Sequence, residues 1–387
     1  MLAAAGITTV GVLPIFLLSA QAVLVSQDLG FTDFQLGMAV TVFFSAAAIA
    51  SLPVGRLAER LGRRTSVTGA GLLATVSLLG LAVVPPSYAA LLAFLILGGV
   101  ANATAQVSAN LLLAQVVPPS RHGLAFGIKQ SAVPISTLIG GLAVPTIGLT
   151  VGWRWAFVAA AVTAFAVAFA APLAATRRFK LRGEVSAGTL HVAAAGPLIW
   201  IAMATALASA ATNALGAFLV VWAVRVGLEL GSAGLLLAGA SALCITARVG
   251  SGIAADRRGR RNLPVVAAQL AVGAIGLVVL STGGTTALVV GALVAFGVGW
   301  SWPGLLLLAV VKASPGTPAA ATSIIQAGAF IGGASGPGLF GLLLQVHSFA
   351  AAWMAAAISL LLAAVLVLVG RHLLILDLTR KPPAASV

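Results

Sequence analysis

The sequence predicts an all-α membrane protein with twelve transmembrane helices. Three observations carry this. Hydrophobic residues make up 60% of the 387 positions and charged residues only 7%, against about 25% charge in soluble domains. So few ionic groups cannot cover a soluble surface, and lipid must cover it instead. Apolar runs of the roughly 20 residues needed to cross about 30 Å of hydrocarbon recur twelve times. They are continuous rather than alternating, which selects helices over a β-barrel. The 44 Gly and 17 Pro lie largely inside the runs, as is usual for membrane helices.

The elements follow in order. The run at 6–27 lacks a basic leader and continues into a second at 34–53, so it reads as a retained helix rather than a signal peptide. A charged segment at 55–64 precedes the third run, 65–84. Pro85-Pro86-Ser87 breaks the chain before 89–116, and 123–147 and 153–175 complete the first six. The longest break, roughly 176–195, carries Arg177, Arg178, Lys180 and Arg182. The second six are 196–222, 232–250, 263–282, 286–311, 319–344 and 349–370. A second charged segment lies at 252–261, and Pro315-Gly316-Thr317-Pro318 separates the tenth run from the eleventh. The division is therefore an N-terminal bundle 1–176, a linker 177–195, a C-terminal bundle 196–372 and a tail 373–387.

The charges give an orientation. The chain has 21 Lys+Arg against 7 Asp+Glu, a formal net charge of +14. With the amino terminus inside, the cytoplasmic segments receive Arg56, Arg60, Arg63, Arg64, Arg121, Arg177, Arg178, Lys180, Arg182, Arg248, Arg257, Arg258, Arg260, Arg261, Lys312, Arg371, Arg380 and Lys381. Only Arg154 and Arg225 fall outside, and Lys129 lies within a span. The positive-inside rule then places both termini in the cytoplasm of a bacterial-type plasma membrane. The basic excess is an orientation signal rather than a nucleic-acid footprint. The single cysteine, Cys244, excludes a disulfide framework or a multi-cysteine metal site. His122, His191, His347 and His372 lie at membrane edges or in loops without acid or Cys at ligand spacing. No Walker-type phosphate loop is present. Neither an enzyme, a bound cofactor nor a metal site is expected.

Two charged segments share one pattern. The first reads Gly55-Arg56-Leu57-Ala58-Glu59-Arg60-Leu61-Gly62-Arg63-Arg64. The second reads Gly252-Ile253-Ala254-Ala255-Asp256-Arg257-Arg258-Gly259-Arg260-Arg261, at an offset of 197 residues. Gln130 and Gln326 echo each other at an offset of 196. The doubled spacing, at matching places in two sets of six helices, resembles the major facilitator superfamily over essentially the whole chain. The resemblance implies two pseudo-symmetric six-helix bundles around one central site, working by alternating access. It also implies a gate at each signature loop: Gly55, Glu59, Arg60 and Arg63 in the first, Gly252, Asp256, Arg257 and Arg260 in the second. An acid at a helix amino terminus is stabilised by the helix dipole, and Arg pairs directionally. Glu59 stands where Asp is common in the family. Read without the family, the arginines are topological anchors.

A charge inside a membrane costs about 3 kcal/mol or more, so each needs a reason. Lys129 lies about 9–10 Å into the fifth helix at 1.5 Å per residue, and no Asp or Glu occupies the middle of any span. A cation without a protein counter-ion suggests a substrate anion; the alternative is that it snorkels to the interface. Arg248 is the second candidate. Its run, Ala247-Arg248-Val249-Gly250-Ser251-Gly252-Ile253-Ala254-Ala255-Asp256, resembles the monocarboxylate and oxalate/formate branches, where an Arg at this place holds a carboxylate. Cys244 stands where the monocarboxylate branch has the Asp that takes part in proton coupling. The fifth helix from Arg121 to Gln130, continuing toward Gly152-Trp153-Arg154, is similar to cyanate-permease-like carriers.

Neutral polar residues complete the candidate cavity. Asn102, Gln106 and Asn110 fall at i, i+4 and i+8 and form one stripe, or else bond neighbouring helices. Trp300 and Trp302 sit mid-helix as an apolar wall or as packing. Gln130 and Gln326 would be symmetric donors. Gly140, Gly141, Gly332 and Gly333 read as close-packing points.

The expected function is secondary transport of a small organic anion, monocarboxylate-like, by proton symport or anion exchange, in a monomer surrounded by lipid. Asp28, Asp33 or the substrate would carry a proton. The runner-up is export of drugs or other hydrophobic compounds by the same fold. A membrane sensor or scaffold is the third class, disfavoured by a tail of about 16 residues.

Overall fold

The computed structural model describes residues 1–83, 87–114, 121–174, 192–258, 262–314 and 317–380. Among them the chain forms twelve helices long and apolar enough to cross a membrane. They are α1 Leu2–Ala20, α2 Asp33–Ala58, α3 Arg60–Val83, α4 Tyr88–Asn110, α5 His122–Gly148, α6 Trp153–Pro172, α7 Gly196–Arg225, α8 Leu230–Arg258, α9 Leu263–Ser281, α10 Thr285–Ala313, α11 Ala320–Val346 and α12 Phe349–Asp377. Most have little amphipathic bias, as expected for helices facing protein on one side and lipid on the other, the start of α5 being the most amphipathic. The twelve make two six-helix bundles.

Several boundaries differ from the apolar runs, for local reasons. The signature segments, expected as loops, are largely helical. Helix continues from α2 into α3, turning only at Gly62 with φ 77° and ψ 167°, a backbone conformation open to glycine and little else. The second copy is helical through Arg258. The helix containing α12 runs on to Arg380, so the expected tail begins as helix, carried by Leu373, Leu374, Ile375 and Leu376. The linker lies outside the described residues as far as 191. Three spans are interrupted. α1 breaks at Gln21 and resumes as Ala22–Leu29. α5 breaks at Ser131 and ends in a π turn at Val144–Gly148 containing Pro145. α10 contains a π turn at Leu293–Val298 before its second segment starts at Trp302.

Small residues set the helix crossings, as in membrane bundles generally. In the second bundle Gly328, Gly332 and Gly336 of α11 press on the backbone of Ala202, Ala206 and Ala210 of α7. In the first, Gly71 of α3 lies on Ala168 of α6, and Gly11 of α1 lies on Ala105 of α4. Gly140 packs on α1 and Gly333 on Phe44. The bundles meet along α2–α11, α5–α8 and α1–α7, with α10 reaching α5.

Candidate functional site

The α5–α8 seam carries most of the candidate residues. The helices run antiparallel, and α8 turns one stripe toward α5: Gly234, Ser241, Arg248, Gly252 and Asp256, at helical spacing. Gly234 lies on the Gly141 carbonyl, the Ser241 and Thr137 hydroxyls are 2.7 Å apart, and Gly252 lies on the Gly123 carbonyl. At the face bearing the basic segments, the Asp256 carboxylate accepts hydrogen bonds from the backbone N–H groups of Gly123 (2.7 Å) and Leu124 (3.0 Å). These are orphan donors of the first turn of α5, where the helix dipole also favours a negative charge. An acid of the second bundle thus caps a helix of the first.

The two copies of the repeated pattern have different surroundings. Any side chain on Gly252 would meet Gly123, whereas Gly55 faces open space. Arg60 and Arg257 are exposed and Arg63 is half-buried. The side chain of Glu59, and Arg260 altogether, lie outside the described residues.

The interior cations are both enclosed by protein. Arg248 is 2% exposed. Its Nε and Nη2 donate to the Trp300 carbonyl at 3.0 and 2.6 Å, and Nη1 donates to the Gln130 carbonyl. Lys129, also 2% exposed, donates from Nζ to Asn110 Oδ1 at 2.8 Å. Among the described residues no carboxylate pairs with either cation. The polar stripe of α4 grades from buried Asn102 through half-buried Gln106 to exposed Asn110. The buried oxygens Asn102 Oδ1 and Gln106 Oε1 have no hydrogen-bond partner among the described residues. Lys129 and the stripe are therefore brought together, at Asn110. Gln130 takes part through its carbonyl rather than its amide. Gln326 is half-buried on α11.

The two tryptophans are buried. The Trp300 ring meets Phe296 edge-on at 4.7 Å and Phe16 of α1 at 5.9 Å. Gly216 of α7 leaves room for this ring. Aromatic packing thus fills the meeting point of α1, α7 and α10. Trp302 Nε1 is buried with no acceptor among the described residues.

At the opposite face, the two cations that fell outside pair with two of the acids there, Asp28 and Asp33. Asp28 accepts from Trp153 Nε1 at 2.9 Å and faces Arg154 at 3.6 Å, within the first bundle. Asp33, opening α2, pairs with Arg225 at the end of α7 at 2.5 Å, across the bundles. A cavity of about 190 Å³ adjoins this pair, lined also by Ser26, Phe31, Leu36 and Val221. Sequence reasoning missed both pairings and the Phe16–Trp300 contact. Part of the signal was present, because the two outer cations, Arg154 and Arg225, had only the outer acids Asp28, Asp33 and Glu229 to meet.

The family model of the Major Facilitator Superfamily matches residues 2–319. The chloramphenicol resistance protein of Streptomyces lividans is 28% identical over 336 residues, covering 83% of each chain. The multi-drug resistance efflux pump PmrA of Streptococcus pneumoniae is 37% identical over 111 residues, 28% of this chain and 26% of that one. This chain spans only about a quarter to a third of the length of PmrA and of several other curated relatives. Among solved structures, a bacterial homolog to the human lysosomal transporter Spinster, in an inward-facing conformation, aligns with a TM-score of 0.68 at 16% identity. That alignment covers 99% of this chain and 98% of the other.

Proposed function

Because this chain belongs to the Major Facilitator Superfamily, and is a transporter rather than an enzyme, we propose that it is a secondary carrier of a small organic anion. The substrate is monocarboxylate-like, and the carrier works by alternating access as a monomer in a bacterial plasma membrane with both termini cytoplasmic. The observation that carries the reading is Lys129. Its ammonium is enclosed by protein yet answered, among the described residues, by the neutral Asn110 amide. A buried cation held by a neutral acceptor keeps unspent attraction for an anion. The Asn102 and Gln106 oxygens, without a partner among the described residues, lie along the same stripe and suit the hydroxyl or amide donors of an organic acid. Coupling is by anion exchange or by proton symport. Asp28 and Asp33 are each engaged by an arginine, which favours exchange or a proton carried by the substrate.

The second reading is export of a drug or other hydrophobic compound. Kinship with the chloramphenicol resistance protein along 83% of both chains favours it, and the Phe16–Phe296–Trp300 cluster offers an apolar wall. One experiment separates the two. Uptake into proteoliposomes is measured for labelled monocarboxylates and for labelled chloramphenicol, with the wild type and Lys129→Gln. The anion reading expects carboxylate uptake that falls about 10- to 100-fold in Lys129→Gln, since a hydrogen bond to a charge contributes about 1.5–3 kcal/mol. Chloramphenicol transport at equal rates in both proteins, with no carboxylate uptake, overturns it in favour of export.

A further inference from the structure

Arg248 makes three hydrogen bonds to two backbone carbonyls, and both carbonyls are available for a traceable reason. In a continuous helix the Gln130 carbonyl would accept from the N–H four residues on. That residue is Pro134, which has none, and the helix breaks at Ser131 just after Gln130. Trp300 lies between the π turn ending at Val298 and the helix starting at Trp302. Ser301 is the N-cap there, and the N-cap carbonyl is the first to accept within a helix. The Trp300 carbonyl precedes it and is left over. One guanidinium thus satisfies the orphan acceptors of two broken helices.

The bonds differ in what they join. Arg248 on α8 and Trp300 on α10 belong to the same bundle, so these two bonds hold the guanidinium in place whichever way the bundles lean. Gln130 belongs to α5, in the other bundle, so the Nη1 bond crosses the seam. Gly127 leaves room for the Arg248 backbone beside it, and Gly304 of α10 lies on Phe126 and Gly127. Three helices therefore meet closely at this level, two turns inside the Asp256 cap.

We propose that Arg248 is a positioning residue that braces the two bundles at Gln130. The seam opens toward the basic face only when Nη1 exchanges that carbonyl for another acceptor, such as the oxygen of a substrate. The guanidinium, fixed by Trp300, is then the donor that reports substrate to the gate. Pro134, by leaving the Gln130 carbonyl unclaimed, makes the brace reversible instead of removing the acceptor into the helix. This rests on the alternating-access reading but not on the identity of the substrate.

The protein carries its own reporter. Cys244, its single cysteine, is fully buried. It lies at i+3 from Ser241 and i−4 from Arg248, so it shares the α8 face whose neighbours above and below bond α5. The test is the rate of Cys244 alkylation by N-ethylmaleimide, followed by intact mass on the full-length protein in lipid nanodiscs, with melting temperature as the folding control. Arg248→Gln should raise the rate about tenfold or more, the factor expected from losing a hydrogen bond to a charged group. Pro134→Ala restores a backbone donor for the Gln130 carbonyl and should raise the rate severalfold with Arg248 intact. Wild-type rates in both folded variants overturn the brace. So does acceleration in Arg248→Gln alone, because the carbonyl link would then not be what holds the seam. If Arg248→Gln does not fold, Pro134→Ala decides. Failure of alternating access itself would appear separately, as a single fixed separation between spin labels at Leu61 and Arg258 in the otherwise unmodified protein.

Discussion

Asp256→Asn tests the cap at the basic face. The carboxylate holds two backbone N–H groups of α5 at 2.7 and 3.0 Å. Asn keeps one acceptor oxygen and remains a good N-cap, so part of the capping contribution of about 1 kcal/mol survives. The charge is lost, and with it a dipole interaction of about 0.3–1 kcal/mol, rising to about 2 kcal/mol when partly buried. The half-buried position of Asp256 argues for the upper part of that range. A net loss of about 1–2 kcal/mol changes a conformational ratio about 5- to 30-fold. The assay is pulsed electron spin resonance between labels at Leu61, exposed on the first bundle, and Arg258, exposed on the second, in a Cys244→Ser background. The population with the longer separation should grow by that factor, with Asp256→Glu intermediate. Distance distributions that stay the same in Asp256→Asn, with the labels placed and the protein folded, refute the reasoning: the carboxylate would then cap α5 without restraining the bundles.

Three further outcomes follow from the packing. Gly252→Ala places a methyl group against the Gly123 backbone and should open the seam in the same distance measurement, whereas Gly55→Ala meets nothing and should leave it unchanged. Trp300→Ala removes the ring between Phe16 and Phe296 and should cost about 3–5 kcal/mol, read as a large fall in melting temperature. Trp302→Phe deletes a buried N–H with no acceptor among the described residues. Leaving such a group unpaired costs about 1–3 kcal/mol, so the variant should melt at or above the wild-type temperature.

The cations show how far a linear reading reaches. Lys129 and Arg248 stood out because charge inside a long apolar run is expensive wherever the helix packs, and both are enclosed by protein. What surrounds them was not legible. Gln130 was singled out by an offset in the repeat, but its carbonyl is what binds, and only Pro134 four residues later hinted at that. The polar stripe of α4 follows from helical period alone. Its meeting with Lys129 depends on how α4 and α5 end beside one another, which no local pattern encodes.

Hydropathy and run length are local and additive along the chain. They were therefore enough to settle lipid as the solvent and the number of spans, while the twofold repeat came from the doubled charged pattern at 55–64 and 252–261. The repeated segments share one spacing and six of their ten residues, and the tertiary structure alone distinguishes their surroundings. Gly252 lies on the start of α5 while Gly55 faces open space. The α1–α7 contact at Phe16 and Gly216 and the Asp33–Arg225 pair are likewise decided by crossings between helices about 190 residues or more apart in the chain. Those crossings are set by how closely small side chains let backbones approach, a property of pairs of helices that neither helix carries alone.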